Sequence, residues 1–236
     1  MSTEDSKTMG ILYAVATPIG NLEDITLRAL RVLKEADLIA AEDTRRTRKL
    51  LSHYGIHTPI TSYYGRESKG DYLIGALKRG KSVAIVSEAG TPGISDPGYP
   101  LIRRAIENGI TVQSIPGPCA AISALVVSGL PTDGFIFTGF LPRKKGRLIK
   151  QIGGLFSLEK TVIFYESPNR LVATLEAIKE RFGDTNVVIA RELTKKFEEI
   201  LRGSIDSILN LLKERKIRGE VIVLLHKAEN SRSNPG

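Results

Sequence analysis

Two α/β domains are what this 236-residue sequence predicts, and three observations predict them. Short apolar runs of strand type alternate with helical patterns through the first half. A turn-rich segment, Gly129-Leu130-Pro131-Thr132-Asp133-Gly134, then breaks the alternation. Beyond it strands and helices continue, but one run, Glu198–Gly203, is short and reads as crossing back. The expected domains are residues 10–130, with a parallel sheet, and 131–228, with a mixed sheet. The polar ends, 1–9 and 229–236, are expected to be flexible.

The elements follow in order. Gly10–Ala16 is apolar and reads as the first strand, which Thr17-Pro18-Ile19-Gly20-Asn21 breaks. Asp24 or Thr26 is placed to cap a helix carrying Leu27, Leu30 and Leu33. Asp37–Ala41 is a second strand, followed by a helical pattern over Arg46–Tyr54 that Gly55 ends. Ile60–Arg66 reads as a short strand opening into a loop, and Asp71–Lys78 as a helix. Ser82–Val86 is a buried strand; Tyr99–Ile106 is a helix; Ile110–Ile115 is a strand closed by Pro116-Gly117-Pro118. Pro118 suits the first turn of a small-residue helix, Cys119–Leu125. In the second half Phe135–Gly139, Thr161–Glu166, Val187–Glu192 and Glu220–Leu225 read as strands, with helices from 143, from Leu171 to Phe182, and from a Ser204 cap to Lys213.

The net charge of +8 permits a polyanionic partner such as nucleic acid, although solvated surfaces that bind nothing share it. No run approaches the roughly 20 apolar residues of a membrane helix. A single cysteine, Cys119, leaves no internal disulfide and no multi-cysteine metal site, as expected of a reducing cytoplasm. His53, His57 and His226 are scattered in no ligand or triad pattern.

The segment from Glu88 to Gly98, Glu-Ala-Gly-Thr-Pro-Gly-Ile-Ser-Asp-Pro-Gly, joins a strand to a helix. It holds more glycine and proline than a plain turn needs, at the strand end where open α/β sheets bind ligands. Thr17–Asp24, Glu42–Arg45, Pro116–Pro118 and Glu166–Arg170 also follow strands. Loops sharing one edge would line one cleft. None is a phosphate loop and none is a GxGxxG turn, which argues against ATP hydrolysis and standard dinucleotide binding. A small ligand gripped by backbone fits better.

Five segments occur in order: Thr17-Pro18-Ile19-Gly20-Asn21-Leu22-Glu23-Asp24-Ile25, Ala41-Glu42-Asp43-Thr44-Arg45, Ala89–Gly98, Pro116-Gly117-Pro118, and Phe164–Arg170. Together they resemble the tetrapyrrole methylase superfamily, and within it the branch acting on small-subunit ribosomal RNA. The resemblance covers about residues 10–226. It implies a two-domain fold with S-adenosylmethionine in the cleft between domains, a homodimer, and a cytoplasmic location. It also implies 2′-O-methylation of a cytidine ribose in the decoding region of 16S rRNA, free or in the small ribosomal subunit. The rival readings are methylation of a tetrapyrrole carbon and a non-catalytic RNA-binding relative. By the same resemblance Gly90, Thr91, Pro92, Ile94 and Asp96 form the donor-binding loop, Ala120 and Ala121 a second donor-contacting segment, and Tyr165 a third. Two positions depart from the pattern: Glu88 stands where Asp is usual, and Cys119 where Ser is usual.

A ribose hydroxyl is a poor nucleophile, so a base to take its proton helps by about 10²–10⁴-fold. The candidates are Asp24, Glu42 and Asp43. Each has an ordinary alternative: a helix cap for Asp24, and ion pairs with Arg45 and Arg46 for the other two. No metal ligands are expected. For RNA the candidates are Arg45, Arg46, Tyr63 and Arg66, and the basic residues Arg143, Lys144 and Lys145. Arg48, Lys49, Lys195, Lys196 and Tyr64 flank them. Aromatic and guanidinium groups together suit a splayed base. The alternatives are half-buried tyrosines and solvated helix faces.

Overall fold

The computed structural model describes residues 8–227 apart from 66, 214 and 216. Residues 1–7 and 229–236, expected to be flexible, lie outside the described residues, as does Arg66. The chain forms two compact units, one ending at Cys119 and the other beginning at Ala120.

In the first unit β1 (Ile11–Val15), α1 (Leu27–Glu35), β2 (Leu38–Ala41), α2 (Thr44–His53), β3 (Ile60–Ser62), α3 (Glu67–Lys78), β4 (Val83–Val86), α4 (Gly98–Glu107) and β5 (Thr111–Ile115) alternate. The sheet order is β3-β2-β4-β1-β5, and every pairing is parallel. All four residues of β2 and of β4 are buried, as expected where helices cover both faces. One face packs Leu12, Ile85, Leu73, Leu77 and Leu101 together, bringing in α3 and α4. The other packs Val15, Ile39, Val86, Leu33 and Leu51, bringing in α1 and α2.

The second unit holds α5 (Ala120–Val126), β6 (Phe135–Phe140), α6 (Lys145–Phe156), β7 (Thr161–Glu166), α7 (Pro168–Phe182), β8 (Asn186–Arg191), β9 (Glu199–Ser204), α8 (Ile205–Lys213) and β10 (Val221–His226). The sheet order is β6-β7-β10-β8-β9; only β6 and β7 pair in parallel. The sheet is mixed, as expected. Val162, Phe164, Ile189 and Val223 on one face pack with Leu148 and Ile152 of α6, Leu171 and Leu175 of α7, and Ile208 of α8. Helix α5 packs against β10 and β7.

Helix starts were harder to read than strands. Thr26 Oγ1, not Asp24, caps α1, accepting the Ala29 N–H at 3.0 Å. Helix α2 begins at Thr44, because Asp43 caps it. Helix α7 begins at Pro168, in the first turn, where a missing N–H has no intrahelical partner to lose. Helix α3 starts at Glu67 and carries Gly70 inside it, where the absent Cβ leaves room for the Arg104 guanidinium.

Phe164 is fully buried in the middle of β7. Phe164→Ala is expected to cost about 3–5 kcal/mol in chemical denaturation of the whole chain. Phe135→Ala, on the partly exposed edge strand, should cost far less.

Candidate functional site

Because all five strands of the first sheet run the same way, the segments after β1, β2, β4 and β5 leave one edge. Direct bonds tie them together. The Thr17 N–H donates to the Gly90 carbonyl at 2.9 Å, and the Gly90 N–H returns to the Thr17 carbonyl at 3.0 Å. Gly90 holds φ at +84°, and a Cβ there would sit 3.3 Å from Ile19 Cγ2 and 3.6 Å from the Pro118 carbonyl oxygen. A side chain at this position is therefore both strained and crowded. Thr91 Oγ1 donates to the Pro118 carbonyl at 3.0 Å, which binds the loop after β4 to the one after β5.

The far half of the bend has its own clasp. Asp96 Oδ1 accepts the N–H groups of Gly93 and Gly98, both at 2.7 Å. Ser95, though not glycine, is held at φ +64°. Such a conformation persists only where neighbours fix it. The result is a fixed backbone from which Ile94 projects, 43% exposed, with Thr91 half-buried and Pro92 buried.

Three candidate carboxylates stand at this edge in three environments. Asp43 Oδ1 accepts the Arg45 N–H at 2.7 Å and the Arg46 N–H at 3.1 Å. The bonds from Arg46 and Arg45 hold its carboxyl below the usual range. Its partners are thus backbone amides rather than the expected arginine side chains. Glu42 Oε2 accepts the Glu88 N–H at 3.0 Å. Burial pushes the Glu42 carboxyl up; the Glu88 N–H opposes this, and the negative charges of Asp96, Glu88 and Asp43 add to it. Glu42, Tyr63, Pro92, Asp96, Pro97 and Gly98 line one narrow crevice that is too closely packed to hold a water molecule as it stands. Asp24, in the short 3-10 turn Leu22–Asp24, caps nothing: Asn21 caps that turn and Thr26 caps α1. Its Oδ2 is buried with no hydrogen-bond partner, and so is Thr17 Oγ1. Buried polar atoms are rarely left so, and Thr138 Oγ1 in the second unit is the other such atom among the described residues.

Two residues of the motif segments contribute in ways that the sequence does not specify. Thr17, the first residue of the first motif segment, bridges Gly90 across 73 positions by backbone alone, a contact that its side chain does not announce. Glu88 pairs with Arg46 at 2.6 Å, which ties the bend to the start of α2.

The remaining candidates lie as follows. Arg45 and Arg46 are exposed. Tyr63 is only 2% exposed and packs in the core with Leu73, Leu77 and Leu101. Its ring is not offered to a base; Tyr64, 60% exposed, is the outward ring of that loop. In the second unit Ala120 opens α5, and Ala121 is buried. Tyr165 packs edge-on against Phe137 and Phe140, with ring centroids 4.9 and 5.6 Å away. Arg143, Lys144 and Lys145 are exposed at the start of α6, where Lys145 pairs with Glu180 at 2.6 Å. His226 faces Thr161 Oγ1 at 3.3 Å. A recess between α7 and α8, lined by Glu176, Lys179, Asp206 and Leu209, holds none of the motif residues. Among the described residues no three His, Cys, Asp or Glu side chains group to hold a metal ion, and no helix is long and apolar enough to cross a membrane.

The family model for Tetrapyrrole (Corrin/Porphyrin) Methylases matches residues 11–209. The ribosomal RNA small subunit methyltransferase I of Halalkalibacterium halodurans is 50% identical over 218 residues, 92% of this chain and 75% of that protein. The protein of that name from Thermotoga maritima is 49% identical over 223 residues, 94% of this chain and all of its own length. Among solved structures, diphthine synthase shares the fold with a TM-score of 0.72 at 16% identity, covering 92% of this chain and 90% of its own. A cobalt precorrin-4 methyltransferase does so with a TM-score of 0.67 at 18% identity, covering 96% and 98%.

The Glu42 environment has a measurable consequence. A carboxyl raised above its ordinary value near 4.5 in the fold costs no stability while protonated in both states, and destabilises the fold once ionised. Glu42→Gln should therefore gain stability relative to the parent as the pH rises from below 4.5 toward neutrality, in denaturant titrations across pH.

Proposed function

Since this chain belongs to the tetrapyrrole methylases, and within them to the ribosomal RNA small subunit methyltransferase I proteins, we propose that it methylates the ribose 2′-hydroxyl of a cytidine in the decoding region of 16S rRNA. Transfer of a methyl group to small-subunit ribosomal RNA follows from that membership. The ribose, the nucleotide and the residue roles are the proposal, together with S-adenosylmethionine as donor, a cytoplasmic location and a homodimeric state.

One observation carries it: the bend at Gly90 is pinned to the loops after β1 and β5, and Thr17, which bridges it, holds a buried hydroxyl that lacks a partner, as does the Asp24 carboxylate further along the same loop. That arrangement fits a nucleoside donor with hydroxyl and amino groups. Bound there, S-adenosylmethionine would supply a methyl group already activated by its positive sulfur. Gly90, Thr91, Pro92 and Ile94 would hold it through fixed backbone and one apolar side chain. Asp96 would act indirectly, by clasping Gly93 to Gly98. Asp24 Oδ2 and Thr17 Oγ1 would meet polar groups of the ligand. For Ala120, Ala121 and Tyr165 the support is the motif match alone.

The protein's main task is alignment, which brings the substrate oxygen and the methyl carbon into line. Its second task is to receive the hydroxyl proton. Glu42 suits this best of the three candidates, because burial makes its carboxylate a stronger proton acceptor. Asp43 suits it least, being held in its ionised form by two amides. Arg45, Arg46, Arg143, Lys144 and Lys145 are proposed to meet RNA phosphates, and Tyr64 takes the stacking role first assigned to Tyr63.

Labelled donor incubated with small-subunit RNA should place the methyl group on a cytidine ribose; label on a base would contradict the proposal. Glu42→Gln should lower kcat by about 10²–10⁴-fold with a much smaller change in KM for RNA. Asp43→Asn should fall well short of that loss. Equal losses in both variants would remove Glu42 from the role.

A further inference from the structure

One end of the second sheet gathers features to which, Tyr165 apart, the proposed donor site gives no role. β6 and β7 run in parallel, and β10 is antiparallel to both β7 and β8. The carboxyl ends of β6, β7 and β8 therefore share one end with the starts of β9 and β10. The register confirms it: Phe140 faces Tyr165, Tyr165 faces Ile222, Ile222 faces Ala190, and Ala190 faces Ile200.

Two phenylalanines stand out at that end. Phe140 closes the edge strand β6 and is 61% exposed. A bulge between Phe137 and Phe140, with Gly139 at φ +65°, inserts one extra residue. Strand alternation would send Phe137 and Phe140 to opposite faces; the bulge puts both against Tyr165. Phe140 is thus braced from behind and open in front.

Phe197 lies in the turn between β8 and β9 and is 65% exposed. That turn is strained: Glu192 and Thr194 hold φ at +50° and +65° without being glycine. It is also over-determined. Lys195 Nζ bridges Glu192 at 2.9 Å and Glu220 at 3.1 Å, Glu198 Oε2 accepts the Thr194 N–H, and Gly219 leaves room for the Glu192 carboxyl. Glu192 and Lys195 are largely covered, and the ring is left outside.

Charge follows the same division. Most acidic side chains at this end are engaged by cations: Glu166 by Arg170, Glu192 and Glu220 by Lys195, and Glu199 by Arg191 and Arg215; Glu198, exposed beside Phe197, accepts the Thr194 N–H. Arg170 also donates to the carbonyls of Leu141 and Pro142, which fixes the turn carrying Phe140 toward Arg143. Arg143, Lys144 and Lys196 form no ion pair among the described residues, and Lys196 Nζ sits 5.7 Å from the Phe197 ring centre.

We infer that this end of the second sheet is a stacking platform for a single-stranded stretch of the RNA substrate, with Phe140 and Phe197 as its two base-receiving faces and Arg143, Lys144 and Lys196 on the phosphates. The inference rests on the rRNA reading above. Exposed aromatic rings beside unpaired cations are the pattern of single-strand recognition, because every base offers a π-face. The spacing also agrees. Three to four inter-strand steps of about 4.8 Å place the two rings roughly 14–19 Å apart. At the ~3.4 Å phosphate spacing of one stacked strand, that is roughly four to six nucleotides.

The test is fluorescence anisotropy with a short unstructured oligocytidylate, alongside methyl transfer to small-subunit RNA and calorimetric titration of S-adenosylmethionine. Phe140→Ala and Phe197→Ala should each weaken oligonucleotide binding about tenfold. Phe140→Trp should restore it, and donor affinity should stay at the parent value. The double variant R143E/K144E should flatten the salt dependence of binding by about 0.7 in log–log slope per cation removed. Duplex RNA should compete poorly, because its bases are already stacked. Unchanged oligonucleotide binding in both alanine variants, with the parent still methylating small-subunit RNA, would overturn this inference alone. Lost donor affinity in those variants would overturn it too, by giving the rings to the donor. A parent that neither binds nor methylates the RNA would overturn the underlying reading and this inference together.

Discussion

The paired backbone bonds between Thr17 and Gly90 are the constraint on which the first unit's site depends. They form a one-residue antiparallel bridge between two loops that leave a parallel sheet side by side. Ordering a loop residue costs about 1–2 kcal/mol of backbone entropy, and the bend from Ser87 to Pro97 is long. The bridge fixes one half, Asp96 clasps the other, and Thr91 joins both to the loop after β5. Glycine at 90 is required because the bridge demands φ near +84° with Ile19 behind it. What would otherwise be a mobile strand-to-helix connection becomes a rigid rim.

That rim sorts three neighbouring carboxylates into different roles. Asp43 meets the amides that open α2, so its charge is stabilised and its function is capping. Glu42, one residue earlier, turns into the crevice with Asp96 and is pushed toward the protonated form. Glu88 lies on the exposed side, where it holds Arg46. An exposed pair of this kind contributes little stability, about 0–1 kcal/mol. The backbone N–H of the same Glu88 meets Glu42.

The parallel first sheet and the mixed second sheet were legible, because hydrophobic periodicity and the placing of glycine and proline act locally; of the five loops expected on one edge, four leave the first sheet together, while Glu166–Arg170 follows β7 of the second sheet. What escaped depends on contacts between distant segments. Tyr63 and Tyr64 are indistinguishable as residues. The Tyr63 N–H, however, extends the β3 ladder to the Ala41 carbonyl, so alternation turns the first ring into the core and the second outward. Of the two caps the sequence offers for α1, Asp24 and Thr26, it is Thr26 that reaches the Ala29 amide, a choice that only the backbone geometry decides. The exposed face of Phe140 depends on a bulge at Gly139, which a lone glycine in a strand only hints at.

The account turns on whether the rigid bend at Gly90 binds the methyl donor, and calorimetric titration of S-adenosylmethionine into the parent and a folded Gly90→Ala variant tests this most directly. A Cβ held in the left-handed region costs about 1–2 kcal/mol, and the Ile19 contact adds to it. The predicted result is clear donor binding by the parent and affinity at least about tenfold weaker in the variant. Equal affinity in both, or no binding by the parent, would contradict it.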